Sequence, residues 1–155
     1  MEVTIEDLSI EDVDRLHEIE TECFTDEAFT KGQIIELMRD YNSIGLVARA
    51  DKRIVGFVIG LIYVDRTAMH GHILTLDISP TCRRRGIGQR LLQVMEKIFI
   101  EKGVKTSHLE VREDNVAAIN LYTKLGYKKI GKLDNYYGKT HGIYLKKVLT
   151  QLEES

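Results

Sequence analysis

Between Gly71 and Val111 the chain reads as strand, basic turn, helix and strand, and this stretch restricts the fold more than any other. Gly71–Ile78 is a β-rich run, closed by Pro80, the only proline. Ile87, Leu91, Met95, Ile98 and Phe99 then recur at helical spacing, and Gly103 follows as a C′ glycine. Ser107–Val111 returns to strand character. A strand, a crossover helix and a second strand are the ingredients of a parallel pair, which no tight hairpin can join. The expectation is an α/β or α+β sheet with at least one parallel crossover through residues 72–111.

The flanking sequence supplies the remaining elements. Val3–Ile5 reads as a short strand. Ser9 with Asp12 resembles a capping box, ahead of Ile10, Val13, Leu16 and Ile19 at helical spacing. A second short helix is expected over about 31–39. Ile44–Ala50 and Ile54–Val64 are β-rich runs joined by the polar Asp51-Lys52-Arg53. Asn115–Leu125 reads as a helix stopped by Gly126, and strands are expected near 127–133 and 141–149. No Pro/Gly/Ser-rich linker divides the 155 residues, so a single domain over 1–150 with a short tail at 151–155 is expected. A chain of this size buries roughly 70% of its unfolded surface and needs no disulfide or metal staple.

Composition excludes several classes. At 43% hydrophobic and 30% charged residues the chain is neither disordered nor collagen-like. The longest apolar run, Ile54–Val64, is eleven residues, against the roughly 18 of a membrane helix. Cys23 and Cys82 show no metal or redox spacing, and the acidic N-terminus lacks a signal-peptide pattern, so a reduced, cytoplasmic protein is expected. A net charge of −2 argues against general nucleic-acid binding.

The segment Ser79-Pro80-Thr81-Cys82-Arg83-Arg84-Arg85-Gly86-Ile87-Gly88-Gln89 carries the first chemical signal. Amide groups in a helix's first turn have no intrahelical partner, and the helix dipole adds positive charge there. Glycines let an anion approach the backbone, and three arginines add formal charge, which together describe a phosphate or pyrophosphate site. A P-loop requires a lysine where Gln89 stands, and a dinucleotide fingerprint requires a third glycine where Leu91 stands. A solvated basic turn ahead of a glycine-relaxed helix start accounts equally for the hexamer alone.

Arg83-x-x-Gly86-x-Gly88 does resemble the pyrophosphate loop of the GCN5-related N-acetyltransferases. Further spaced motifs follow in the same order: Leu109-Glu110-Val111-Arg112, Asn115, Ala117-Ala118-Ile119, Leu121-Tyr122, Leu125-Gly126-Tyr127 and Asn135-Tyr136-Tyr137. Their pattern is similar to the protein N-terminal acetyltransferase branch of that superfamily, the RimI-like bacterial, archaeal and eukaryotic enzymes. The resemblance runs from about residue 3 to 149. It implies a single mixed, splayed sheet of about seven strands flanked by about four helices, with acetyl-CoA as co-substrate and no metal.

The resemblance also implies roles. Glu110 and His72 match the positions that take the amine proton, and Tyr122 matches the tyrosine that meets the coenzyme sulfur. Backbone groups of Leu76, Asp77 and Ile78 would meet pantetheine. The loop from Arg83 through Arg84, Arg85, Gly86, Ile87 and Gly88 to Gln89 would hold the pyrophosphate, with Asn115 at the coenzyme arm. Phe24, Thr25, Leu74, Tyr136 and Tyr137 would contact the acceptor peptide; threonine at 25 replaces the proline common in relatives. Adjacent tyrosines on a strand point to opposite faces, so only one of Tyr136 and Tyr137 is expected on the peptide side.

Residue chemistry leaves other readings open. Without the resemblance, Glu110 reads as a solvated strand-end charge paired with Arg112. Tyr122 shares a helix face with Ile119 and Leu125, as a core aromatic would. His70 and His72 form an i, i+2 pair with no third ligand at suggestive spacing, so no metal site is expected. The acceptor implied is the α-amine of ribosomal proteins or nascent chains, with lysine side chains or small amines, and a silent acyl-CoA-binding module, as alternatives. No membrane or direct nucleic-acid partner is expected, and neither an auxiliary subunit nor an oligomeric state is legible. Charge is unevenly divided. Residues 1–40 hold thirteen acids and three bases, whereas 83–105 hold seven bases and two acids. The basic segment suits a polyphosphate coenzyme, and the acidic one suits cationic protein N-termini.

Overall fold

A computed structural model describes residues 2–24 and 27–149. Among the described residues, seven strands and four α-helices follow in the order β1 (Val3–Asp7), α1 (Val13–Cys23), α2 (Lys31–Arg39), β2 (Ser43–Ala50), β3 (Arg53–Val64), β4 (Met69–Ile78), α3 (Ile87–Glu101), β5 (Thr106–Arg112), α4 (Val116–Lys124), β6 (Lys128–Tyr137) and β7 (Thr140–Val148). The strands form one mixed sheet in the order β1-β2-β3-β4-β5-β7-β6. As the 72–111 crossover requires, β4 and β5 are parallel, and their register spans three pairs, His70–Thr106, Gly71–Ser107 and His72–His108. β7 lies antiparallel between β5 and β6. Among the described residues, no helix is long and apolar enough to cross a membrane.

The chain divides into two compact units, one of residues up to Leu61 with Leu74–Met95, the other of Ile62–Ile73 with residues from Glu96 onward. In the first unit, Leu16, Ile19 and Ile34 from α1 and α2 pack with Val47, Ile54, Phe57 and Ile59 from β2 and β3, all essentially excluded from water. Each such side chain contributes roughly 1.5–3 kcal/mol by leaving water. The Ser9–Asp12 capping box is present, but it caps a short 3-10 turn, Ile10–Asp12, that leads into α1. A second box, Thr30 with Gln33, starts α2. Asp51 and Lys52 both take positive φ, which closes the β2–β3 hairpin tightly.

In the second unit, α3 lies so close to β4 that Gly71 is obligatory. A Cβ there would stand 2.4 Å from Phe99 Cε2. Asn115 caps α4 by accepting from the Ala118 amide at 3.1 Å, an interaction worth about 1 kcal/mol. Gly103 and Gly126 follow α3 and α4 at positive φ, where the periodic pattern ends. β6 runs beyond the expected 127–133 as far as Tyr137, with a register shift between Leu133 and Tyr137 where Asn135 adopts φ 52°.

Candidate active site

The second unit gathers the titratable groups. Because β4 and β5 are in register at His72–His108, and Glu110 lies two residues further along the same face of β5, all three side chains converge. His72 Nε2 stands 2.7 Å from Glu110 Oε2. The His72 ring stacks on His108, with centroids 4.5 Å apart and planes 15° from parallel. His108 Nε2 is 2.6 Å from the Tyr63 hydroxyl on β3. Tyr144, opposite Glu110 in the β5–β7 register, leans on His108 at 5.2 Å.

The electrostatics of this cluster favour a proton acceptor. Burial pushes the Glu110 carboxyl up, but the hydrogen bond from His72 and the neighbouring imidazoles outweigh it and hold it below the ordinary range. Glu110 is therefore ionised at neutral pH. His108 is pushed down to about 4, first by burial and then by the charge of His72, so it stays neutral. Burial, followed by neighbouring negative charge including Glu110's, raises the phenols of Tyr63, Tyr136 and Tyr144. They remain hydrogen-bond donors. A carboxylate and an imidazole 2.7 Å apart, ringed by phenols, can accept a proton from an amine and share it.

Other expected site residues fall into place differently. Arg112 does not pair with Glu110; it grips Asp114 with two bonds of 3.0 Å. Tyr122 is buried on α4, edge-on to Tyr127 at 5.8 Å. Tyr136 and Tyr137 do not diverge to opposite faces. Their rings touch edge-on at 4.8 Å, because the left-handed Asn135 breaks the strand's alternation just before them. Tyr136 feels the charge of Glu110, and Tyr137 lies under the Arg112 guanidinium.

The arginine–glycine loop and the C-terminal half of β4 belong to the first unit. Gly86 takes φ +75° and a Cβ built there meets nothing within 4 Å, so the approach to the first turn of α3 is open. Ile87, Gly88 and Gln89 form that first turn, whose amides precede the first α-helical bond, Arg90 N to Gly86 O. Arg84 and Arg85 are exposed beside it. Arg83, also exposed, turns back, donating to the Ile78 carbonyl at 3.2 Å and to Cys23 Sγ at 3.3 Å.

On β4, His72, Leu74, Leu76 and Ile78 share the half-buried face, while Thr75 and Asp77 are buried on the other. The Asp77 side chain is therefore not available to a ligand, whatever its backbone contributes. Thr75 Oγ1 lies 2.9 Å from Glu20 Oε1 and 2.6 Å from Asp77 Oδ1. One hydroxyl proton serves only one of these oxygens, so a carboxyl proton closes the other contact. Burial and then the neighbouring Glu20 raise the Asp77 carboxyl well above its ordinary range, which keeps that proton in place. Glu20 also accepts from the Phe29 amide at 3.1 Å, anchoring the segment after α1. Phe24 caps α1, its amide donating to the Glu20 carbonyl at 2.8 Å; Thr25 lies outside the described residues. Leu74 packs against the α1–α2 core. Burial pushes the Cys23 thiol up to about 11, which leaves it inert as a nucleophile at neutral pH.

Tyr63, His108 and Tyr144 are the site residues that sequence reasoning missed. His108 and Glu110 alternate visibly on one strand, but Tyr63 and Tyr144 sit in ordinary β-rich runs whose pairing is non-local.

The fold is a mixed sheet with one parallel crossover, and its second unit carries a carboxylate–imidazole pair on adjacent strands. The chain belongs to the acetyltransferase (GNAT) family, whose model matches residues 13–127. It is 32% identical over 120 residues to an N-alpha-acetyltransferase of Sulfurisphaera tokodaii, covering 72% of each chain. It is 33% identical over 99 residues to the ribosomal protein bS18-alanine N-acetyltransferase of Salmonella typhimurium, covering 64% of each. Among solved structures, Ard1 of Thermoplasma volcanium superposes with a TM-score of 0.89 at 27% identity, over 97% of this chain and all of that one.

Proposed function

We propose that this acetyltransferase is a protein N-α-acetyltransferase, moving the acetyl group of acetyl-CoA to the terminal amine of polypeptides, ribosomal proteins or nascent chains among them. The observation that carries the reading is the 2.7 Å His72–Glu110 contact in surroundings that keep the carboxyl ionised. A peptide α-amine has a pKa near 8, so a modest base suffices, whereas a lysine amine near 10.4 demands far more. In the proposed reaction the neutral amine attacks the thioester carbonyl, the new N–C bond forms and the C–S bond breaks. Glu110 and His72 take the amine proton, and Tyr122 supplies a proton or hydrogen bond to the departing thiolate. The open first turn of α3, with Arg84 and Arg85 beside it, suits the diphosphate of the donor, as the capped start of α4 at Asn115 suits its pantetheine arm.

Labelled acetyl-CoA offered to short peptides with free N-termini, and to N-blocked peptides containing lysine, tests the reading. Label is expected on the free peptides alone. Equal labelling of blocked peptides would move the acceptor to lysine, and tight coenzyme binding without any transfer would make the chain a binding module. Tyr122→Phe is expected to lower kcat about tenfold or more with little change in the KM for acetyl-CoA; equal falls in kcat and coenzyme affinity would refute its part in thiolate departure.

A further inference from the structure

We propose that His72, His108 and Glu110 together form a binding site for a divalent transition-metal ion of the zinc type. One donor atom from each lies within 4.8 Å of the other two. Two imidazoles and a carboxylate are a donor set that zinc accepts, leaving a fourth position open. The His70–His72 pair in the sequence offers no such set; the missing ligands come from β5, across the parallel pairing.

The His72 and His108 rings, stacked 15° from parallel, must turn so that the lone pairs in their planes converge on one point. A tetrahedral ion with bonds of about 2.0–2.1 Å holds its donors roughly 3.4 Å apart. The 2.7 Å His72–Glu110 contact must open slightly and the widest pair must close by a little more than an ångström. His72 and His108 face each other in the β4–β5 register, and Glu110 is held by its pairing with Tyr144 on β7. His108 is 7% exposed, and its Nδ1 is buried with no hydrogen-bond partner among the described atoms. Ligation through that nitrogen breaks no existing bond. It leaves Nε2–H to donate to the Tyr63 oxygen at 2.6 Å, the outer-shell support that ligating histidines commonly have. Ligation displaces the proton of the His72–Glu110 hydrogen bond. The ion and that proton are therefore competitors, and metal occupation blocks the proposed base. This effect on catalysis rests on the function proposed above; the binding itself does not.

Cobalt(II) and zinc(II) are the probes, added to the EDTA-treated full chain. About one equivalent of cobalt is expected, with the strong visible d–d absorbance of a tetrahedral ion, displaced by zinc. Calorimetry in two buffers of different ionisation enthalpy should show proton release on binding. His108→Asn and Glu110→Gln, each checked for native circular dichroism, should weaken binding by about tenfold or more. His17→Ala/His141→Ala, which removes the two histidines outside the sheet cluster, should bind as before. Absent cobalt absorbance, unchanged affinity in both ligand variants, or loss of binding in the His17/His141 variant would each overturn the site. Zinc should also inhibit acetyl transfer, reversibly by EDTA. A protein that binds cobalt as described but transfers no acetyl group overturns the proposed function and supports the site.

Discussion

His108 shows how one side chain's titration depends on where it is stacked. Its ordinary pKa of 6.5 falls to about 4 on folding, because burial and then the charge of His72 disfavour protonation. The unfolded chain thus takes up this proton first as pH falls. The neutral ring's contribution to stability is complete above the unfolded pKa and is lost between there and about 4. Urea unfolding of the wild type should lose about 1–2 kcal/mol more between about pH 7 and pH 5 than that of His108→Phe. Parallel slopes in the two proteins would contradict the stacked, neutral ring. Glu110 shifts in a different range, below ordinary carboxylates, and so stays ionised through that window. The proposed base role has a separate signature. Glu110→Gln should reduce the rate most at low pH, where little free amine exists, and the wild-type-to-variant ratio should approach unity as pH rises past about 8. A ratio constant across pH would argue against proton acceptance.

At the scale of elements, the helix boundaries were the most legible part of the sequence. Gly103 and Gly126 stop α3 and α4, Asn115 caps α4, and the Ser9–Asp12 box is real. These signals act within four residues, so local chemistry suffices to read them. The box at Ser9 illustrates the limit: it caps a 3-10 turn rather than the first turn of α1 itself. β6 was harder, because the alternation that predicts strand faces fails at Asn135, whose positive φ sets Tyr136 and Tyr137 against each other. The loop before α3 has an unobstructed Gly86 and exposed arginines. Gly86→Glu should abolish acetyl-CoA binding, since it places a carboxylate at the turn proposed to hold the diphosphate and strains a backbone at φ +75°. Coenzyme affinity unchanged by calorimetry would refute the loop's assignment.

Over the whole molecule, the net charge of −2 conceals an acidic first forty residues and a basic stretch at 83–105. If the acidic segment attracts cationic acceptors, the KM for basic peptides should rise severalfold between low salt and about 0.5 M salt, where the Debye length shrinks to a few ångströms. A salt-independent KM would count against it. Element order, the crossover through 72–111 and the family itself were determined by the sequence, because periodicity, caps and spaced motifs are local and survive without tertiary contacts. Only the tertiary structure decided that β7 slots between β5 and β6, that Tyr144 stands beside Glu110, and that Tyr63 meets His108 across 45 positions of sequence. Strand neighbours and register are chosen by the packing of the whole sheet. The pKa values that make the site chemical follow from that choice, since burial and neighbouring charge do not exist until the strands are paired.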